Sequence, residues 1–213
     1  MPPNDTNVSI HILMGHRDIV LLFWALISFY IFSEIQGLVY IHSDGTLHQD
    51  DKEKIQNFFP GIIIVDSNNF IREYSVQLNS YPVIKKFRLE YPQYFLLKKI
   101  IDPYFVSPKT THLIMDTDIL WFKRADDIRK AIQNKTSLMM VGNRLCHVYF
   151  KNGKKLSDDL AQYNSGIVLY DKANLSLKRL TEFLEIINTD NTTNNHFIEQ
   201  AGFAYILNNL QGL

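Results

Sequence analysis

Short apolar runs alternate along this chain with longer segments of helical pattern, and this alternation is the strongest constraint on its fold. The runs predicted to be strands are Val8–Met14, Gly37–His42, Gly61–Val65, His112–Met115, Ser137–Val141 and Tyr163–Tyr170. The segments predicted to be helices are Asp18–Ile35, Gln49–Phe58, Asn68–Ile101 with breaks at Pro82 and Pro92, Ala125–Gln133, Leu175–Ile187 and His196–Leu210. Such alternation is typical of an α/β protein with a parallel-rich sheet flanked by helices.

The composition limits which binding partners and which cellular compartment we expect. The chain has 213 residues, and no repeat or flexible linker divides it, so we expect one domain over residues 1–213. Lys plus Arg equals Asp plus Glu at 22 each, which gives no global field for nucleic acid as a partner. Cys146 is the single cysteine, so no internal disulfide forms, and this favours a reducing compartment such as the cytoplasm.

The segment from Ile19 to Phe32 is almost entirely apolar. It is shorter than the ~20 residues that a membrane span needs, and charged residues lie close to both of its ends. We therefore predict a helix of the core, and the alternative is peripheral contact with a membrane.

Two carboxylates stand where one of the apolar runs ends. Leu113–Met115 has the continuous apolar character of a parallel strand covered on both faces, and Asp116 and Asp118 follow it directly. Ligands of such sheets bind beyond the carboxyl ends of the strands. A divalent cation with its phosphate ligands would satisfy both acids there, whereas the alternative is a solvated turn or a helix cap.

Polar or glycine-containing segments recur at other predicted strand ends and in the last helix. They are Met14–Asp18, His42–Leu47, Asn164–Gly166 and Glu199–Gln200. In this order, and with Met115–Asp118 between them, the motifs resemble those of the nucleotide-sugar-dependent glycosyltransferases of the GT-A fold. The resemblance spans nearly the whole chain.

The resemblance implies a single GT-A domain, related to the Rossmann fold, that transfers a sugar such as a hexose, for example in polysaccharide biosynthesis. It implies a nucleotide-diphospho-sugar donor, a Mn²⁺ or Mg²⁺ ion, and a glycan or lipid-linked acceptor. In that family the first acid of the D-x-D motif tends to meet the donor's ribose or sugar and the second the metal. These roles fall on Asp116 and Asp118, which together form the expected metal site.

The resemblance and the residue chemistry suggest further donor contacts. Asp44 is expected to bond the base or ribose, or else to form a simple Asp-Gly turn. Arg17 is a candidate for the donor phosphates, while Asp18 suits a helix cap.

Three consecutive residues are expected to face a sugar. Asn164 and Ser165 can bond sugar hydroxyls, and Gly166 lets a ligand approach the backbone. The alternative for this segment is a turn that enters a strand.

The last predicted helix carries two further candidates. Glu199 is expected to be the catalytic base of an inverting reaction, or a polar support for the sugar in a retaining one, or a solvated helix residue. Gln200 is expected to contact the donor.

The resemblance has a departure at the end of the sequence. Many GT-A enzymes continue beyond the Glu-Gln helix, so the alternatives are a short, a truncated or a degenerate member of the family. Two alternatives to a glycosyltransferase stay open: a nucleotidyltransferase on a related sheet, and a non-catalytic binding or scaffold protein that keeps the fold.

Overall fold

A computed structural model describes residues 7–213 of the chain, and one seven-stranded sheet organises them. The strands are β1 (Val8–Met14), β2 (Leu38–Ser43), β3 (Ile63–Val65), β4 (Thr111–Met115), β5 (Ser137–Val141), β6 (Tyr163–Asp171) and β7 (Leu210–Gly212). All six predicted strands are confirmed, with ends that differ by at most two residues. The edge strand β7 was not predicted, because its three residues carry no periodic pattern.

Helices cover both faces of the sheet. They are α1 (Ile19–Phe32), α2 (Gln49–Phe58), α3 (Ser67–Asn79), α4 (Pro82–Glu90), α5 (Lys98–Val106), α6 (Asp126–Asn134), α7 (Asp158–Ala161), α8 (Leu177–Ile186) and α9 (Asn194–Ile206). The predicted break at Pro82 is confirmed, since α4 begins there, and Pro92 starts a separate short 3₁₀ segment. The short helix α7 was not predicted.

The strand order is β3-β2-β1-β4-β6-β5-β7. β3, β2, β1 and β4 are mutually parallel, whereas β6 runs antiparallel to both β4 and β5. The sheet is therefore mixed and rich in parallel pairs, as predicted. Because β6 is reversed, its first residues lie at the same edge of the sheet as the last residues of β1, β2 and β4.

Alternation along the central strands separates two apolar cores. Ile12 of β1 and Leu113 of β4 pack with α1, whereas Ile114 of β4 packs with α5, α8 and α9 on the other face. Each central strand is thus covered on both faces, which explains why apolar residues occur at positions that point to either side of the sheet.

A buried polar chain crosses three central strands on the α5 side. The His11 and His42 rings are hydrogen-bonded at 2.9 Å, and His11 also bonds Ser9 at 2.8 Å and His112 at 3.2 Å. Burial lowers the pKa of His42 and that of His112 to about 3, so these two rings are neutral at physiological pH. These hydrogen-bonded histidines therefore form a polar part of the core.

Helix α1 is buried on one side only. Leu22, Ala25 and Leu26 are fully buried, which confirms the predicted core position for that side. Val20, Trp24 and Ile31 lie along the opposite side and are 66%, 61% and 64% exposed, so the prediction is wrong there. All positions of α1 except Ser28 carry apolar or aromatic residues, so no polar face in the sequence pattern indicates which side is exposed. Within residues 7–213, no helix is both long and apolar enough to cross a membrane.

Candidate functional site

An open cavity of about 430 Å³ lies at the carboxyl edge of the parallel strands. Gly15 follows β1, Asp44 follows β2 and Asp116 follows β4, while Asn164 and Ser165 begin the reversed strand β6. The topology therefore explains why segments far apart in sequence meet here. Further lining residues include Asp18, Leu21, Phe95, Lys99, Thr117, Asp118, His196, Phe197, Glu199 and Gln200.

A buried ion network forms the floor of this cavity. The Lys99 ammonium lies 2.5 Å from Asp116 Oδ1 and 3.1 Å from Glu199 Oε1. The Ser165 hydroxyl donates a short hydrogen bond to the same Glu199 oxygen, and the backbone N–H of Gln200 donates to Oε2 at 2.8 Å. Residues of α5, the loop after β4, β6 and α9 thus meet around the Lys99 ammonium group and the Glu199 carboxylate.

The charges in this network shift one another's protonation. Burial alone would lower the pKa of Lys99, whose side chain is 6% exposed, but the charges of Glu199 and Asp116 outweigh burial and raise it. Burial raises the pKa of Asp116, and the neighbouring Lys99 charge opposes that shift. Lys99 consequently stays charged at neutral pH and holds both acids at the cavity.

The two predicted metal-binding acids in the loop after β4 differ in how exposed their side chains are. The backbone N–H of Asp116 donates to the Gly166 carbonyl at 2.9 Å, which ties this loop to β6. The Asp116 side chain is 32% exposed, and Asp118 is exposed at the cavity. Within the part of the chain that the structure describes, neither acid belongs to a cluster of three ligating side chains. A metal ion held here would have two protein carboxylates and would complete its shell with phosphate and water.

The Asp44 loop forms another wall. Its Asp44 Oδ1 accepts from Thr46 N at 2.7 Å and Thr46 Oγ1 at 2.8 Å, and Gly45 has a φ of +117°, where glycine is favoured. The Lys98 ammonium donates to the carbonyl of Asp44 at 2.8 Å from below. Burial and the Arg88 charge lower the pKa of Lys98 to about 8. The Asp-Gly turn is therefore present, and it places Asp44 in the cavity wall.

Gly15 packs tightly against this loop. A Cβ at Gly15 would collide with the Asp44 carboxylate and the Thr46 hydroxyl. The β1 and β2 loops therefore approach each other closely at this point, which leaves no room for a side chain.

Most of the predicted site residues come together in this cavity. Those that line it are Asp44, Asp116, Asp118, Asn164, Ser165, Glu199 and Gln200. Arg17 is exposed and does not line it, and the Asp18 side chain accepts the Gly15 N–H at 2.9 Å. The predicted cap on α1 is wrong in detail, because the Asp18 side chain makes no hydrogen bond to the first turn of that helix. Gly166 also lies outside the lining, and a side chain there would press on Asn164 and Met140.

Lys99 is a site residue that the sequence pattern does not predict. It stands beside Lys98 at the start of α5, and both lysines are buried. Buried lysines are rare without partners, but their burial is invisible until the helix is placed under the sheet edge. Glu199 is buried as well, which excludes a solvated helix position for it.

A larger cavity of about 710 Å³ lies at the opposite edge, beside the start of β2. Its walls come from residues 34–39 and 59–62, with Tyr30 and Arg129. Sheets of this class bind ligands beyond the carboxyl ends of their strands, so the smaller cavity is the better candidate.

Comparison with solved structures identifies the fold. Mouse xyloside xylosyltransferase 1 aligns over 97% of this chain and 84% of its own, with a TM-score of 0.57 and 12% identity. The galactosyltransferase LgtC, in complex with donor and acceptor sugar analogues, aligns over 95% of this chain and 72% of its own (TM-score 0.56, 10% identity). The bifunctional glycosyltransferase WbbM aligns over 100% of this chain, which spans 40% of the WbbM chain (TM-score 0.60, 9% identity).

These likenesses confirm the GT-A glycosyltransferase fold predicted from the order of motifs. No protein-family model and no curated protein matches the chain by sequence.

Replacing Lys99 tests the ion network. Lys99→Met should destabilise the fold by about 3–5 kcal/mol, because removing one partner leaves the buried Glu199 charge uncompensated. The double variant Lys99→Met/Glu199→Gln should be more stable than the single variant by about 1 kcal/mol or more, since the orphaned charge is gone. Urea denaturation of the three proteins measures both effects.

Lys178→Met is the matched control, because Lys178 is 87% exposed and pairs only at the surface with Glu182. Its effect should stay below about 1 kcal/mol. A Lys99→Met protein as stable as the wild type would show that the network contributes nothing to folding.

Proposed function

We propose that this protein is a metal-dependent glycosyltransferase that uses a nucleotide-diphospho-sugar donor. The observation that carries the proposal is the convergence of Asp44, Asp116, Asp118, Asn164 and Ser165 on one cavity of a glycosyltransferase fold. The cavity lies at the carboxyl edge of the sheet, where nucleotide ligands of such folds bind.

The acids of the β4 loop suit a Mn²⁺ or Mg²⁺ ion. Both ions prefer hard oxygen ligands and often keep water and substrate phosphate in their shell, so two carboxylates suffice. Asp116 and Asp118 would hold the ion, and Asp116 would also contact the donor's ribose or sugar. When bound, such an ion stabilises negative charge on a leaving diphosphate as a Lewis acid.

The remaining polar residues would orient the donor. Asp44 is assigned to the base or ribose, since its side chain is held by Thr46 in the cavity wall. Asn164, Ser165 and Gln200 are assigned to sugar hydroxyls.

Arg17 and Gly166 are also assigned to the donor, but the geometry gives these two assignments less support. Neither lines the cavity, so contact with the donor would require movement of the exposed Arg17 side chain, or approach of a ligand to the Gly166 backbone.

Contacts around Glu199 favour one of its two catalytic roles. Oε1 already accepts from Lys99 and Ser165, and Oε2 accepts from the Gln200 backbone. A free base would need an oxygen open to the acceptor hydroxyl. We therefore assign Glu199 to polar support of the sugar site through Lys99 and Ser165.

The metal assignment is tested with Asp118→Asn. The variant should fold normally, because Asp118 is exposed, and its free energy of unfolding should change by less than about 0.5 kcal/mol. Its Mn²⁺-dependent affinity for the preferred nucleotide-sugar should fall by about tenfold or more, since a charged ligand is lost. A thermal-shift screen with and without Mn²⁺ finds that donor, and calorimetry measures the affinity.

Asp127→Asn provides the control, because Asp127 is an exposed acid on α6 outside the cavity. It should bind donor and metal as the wild type does. Unchanged Mn²⁺-dependent donor binding by Asp118→Asn would reject the metal site. Donor binding without hydrolysis or transfer would favour the scaffold alternative, and turnover of nucleoside triphosphates would favour a nucleotidyltransferase.

The exposed apolar side of α1 favours an acceptor that is held at a membrane surface, such as a lipid-linked sugar. Val20, Trp24 and Ile31 form one apolar stripe, and Leu21 beside it is both exposed and part of the cavity wall. An exposed apolar patch that includes a Trp suits the interface of a bilayer, where Trp side chains are enriched. We propose that this stripe contacts lipid and brings the cavity to the acceptor.

Trp24→Ser tests this contact. Burying a large apolar side chain contributes about 1.5–3 kcal/mol, so the variant should bind phospholipid vesicles about tenfold more weakly in a flotation assay. Val76→Ser, which removes an exposed apolar side chain from α3, should float as the wild type does. Equal flotation of both variants, or no flotation of the wild type, would contradict membrane contact.

A further inference from the structure

Two histidines and an aspartate meet beside the candidate donor cavity, in a group that the proposed function does not use. His16 lies just beyond β1, His48 immediately precedes α2, and Asp51 is in the first turn of α2. One possible ligand atom from each of the three lies within 4.8 Å of those of the other two. His16 Nδ1 is 2.7 Å from Asp51 Oδ2. The imidazole rings of His16 and His48 pack edge to face, with their centroids 4.6 Å apart.

We propose that His16, His48 and Asp51 form a binding site for a transition-metal ion of the Zn²⁺ class, separate from the carboxylate pair at Asp116 and Asp118. Two imidazoles and one carboxylate are a ligand set typical of Zn²⁺, with water in the fourth position. Mg²⁺, in contrast, prefers oxygen ligands. The two sites therefore differ in the ion that they select.

The surroundings prepare Asp51 for this role. Its side chain is 4% exposed, and Oδ2 accepts the backbone N–H of His48 at 3.0 Å. The carboxylate is thus held in place, as a metal ligand needs to be.

The histidines keep the accessibility that an incoming ion requires. His16 and His48 are exposed, and the backbone N–H of His16 donates to Thr46 Oγ1 at 2.9 Å. Binding through His16 Nδ1 would replace the His16–Asp51 hydrogen bond with two metal–ligand bonds, and the neutral ring would carry its proton on Nε2 instead of Nδ1.

The position of the site gives it a structural consequence. His16 follows Gly15, which lines the cavity, and Thr46 also holds the Asp44 side chain. A bound ion would join the loop after β1 to the start of α2 and thereby brace the wall that carries Asp44. The metal site itself does not depend on the proposed transferase activity.

Calorimetric titration of the chelator-treated full chain with ZnCl₂ tests the inference. The wild type should bind one Zn²⁺ ion at this site. His48→Gln should weaken that binding by about tenfold or more, because changes even to outer-shell partners cost about 10- to 100-fold. The His48 side chain is exposed, so this variant should fold normally.

A matched pair of neighbouring acids completes the test. Asp51→Asn should lose Zn²⁺ binding, whereas Asp50→Asn, at the exposed adjacent acid, should keep it. Asp118→Asn should also keep it, so failure of this site and failure of the donor-metal site are distinguishable. Wild-type Zn²⁺ affinity in a folded His48→Gln protein, or no Zn²⁺ binding by the wild type, would overturn the proposal.

Discussion

The buried ammonium group of Lys99 is the interaction on which the candidate site depends. It joins α5 to the end of β4 through Asp116 and to α9 through Glu199, and Ser165 of β6 bonds the same Glu199 oxygen. Removing charges from water is costly, and the cost is offset here by opposite charges and hydrogen bonds. The network therefore fixes the relative positions of the elements that line the cavity.

Strand direction provides the second requirement. Loops that follow β1, β2 and β4 share one edge because these strands are parallel, and β6 adds its first residues to that edge because it runs the other way. Asp116 N–H donates to the Gly166 carbonyl across the β4–β6 boundary. Strand direction reverses between β4 and β6, and at this boundary the two candidate metal ligands lie beside the candidate sugar contacts.

Much of this arrangement is predictable from sequence, because strands covered on both faces give continuous apolar runs and polar residues mark their ends. Val8–Met14 and Ser137–Val141 were predicted with their observed bounds for this reason. Lys99 was not, since a lysine in an amphipathic segment gives no sign that it is buried until its partners are placed. The exposed side of α1 was missed because every position of that helix is apolar or neutral, so no polar face indicates its orientation.

The proposed function requires that the cavity at the carboxyl edge bind a nucleoside diphosphate through a divalent ion. The most direct measurement is an anomalous-scattering map from crystals soaked with Mn²⁺ and a nucleoside diphosphate. We expect a manganese peak in contact with Asp118 and with the diphosphate oxygens, beside Asp116 and above Lys99. Manganese bound elsewhere, or a diphosphate that lies outside this cavity, would contradict it.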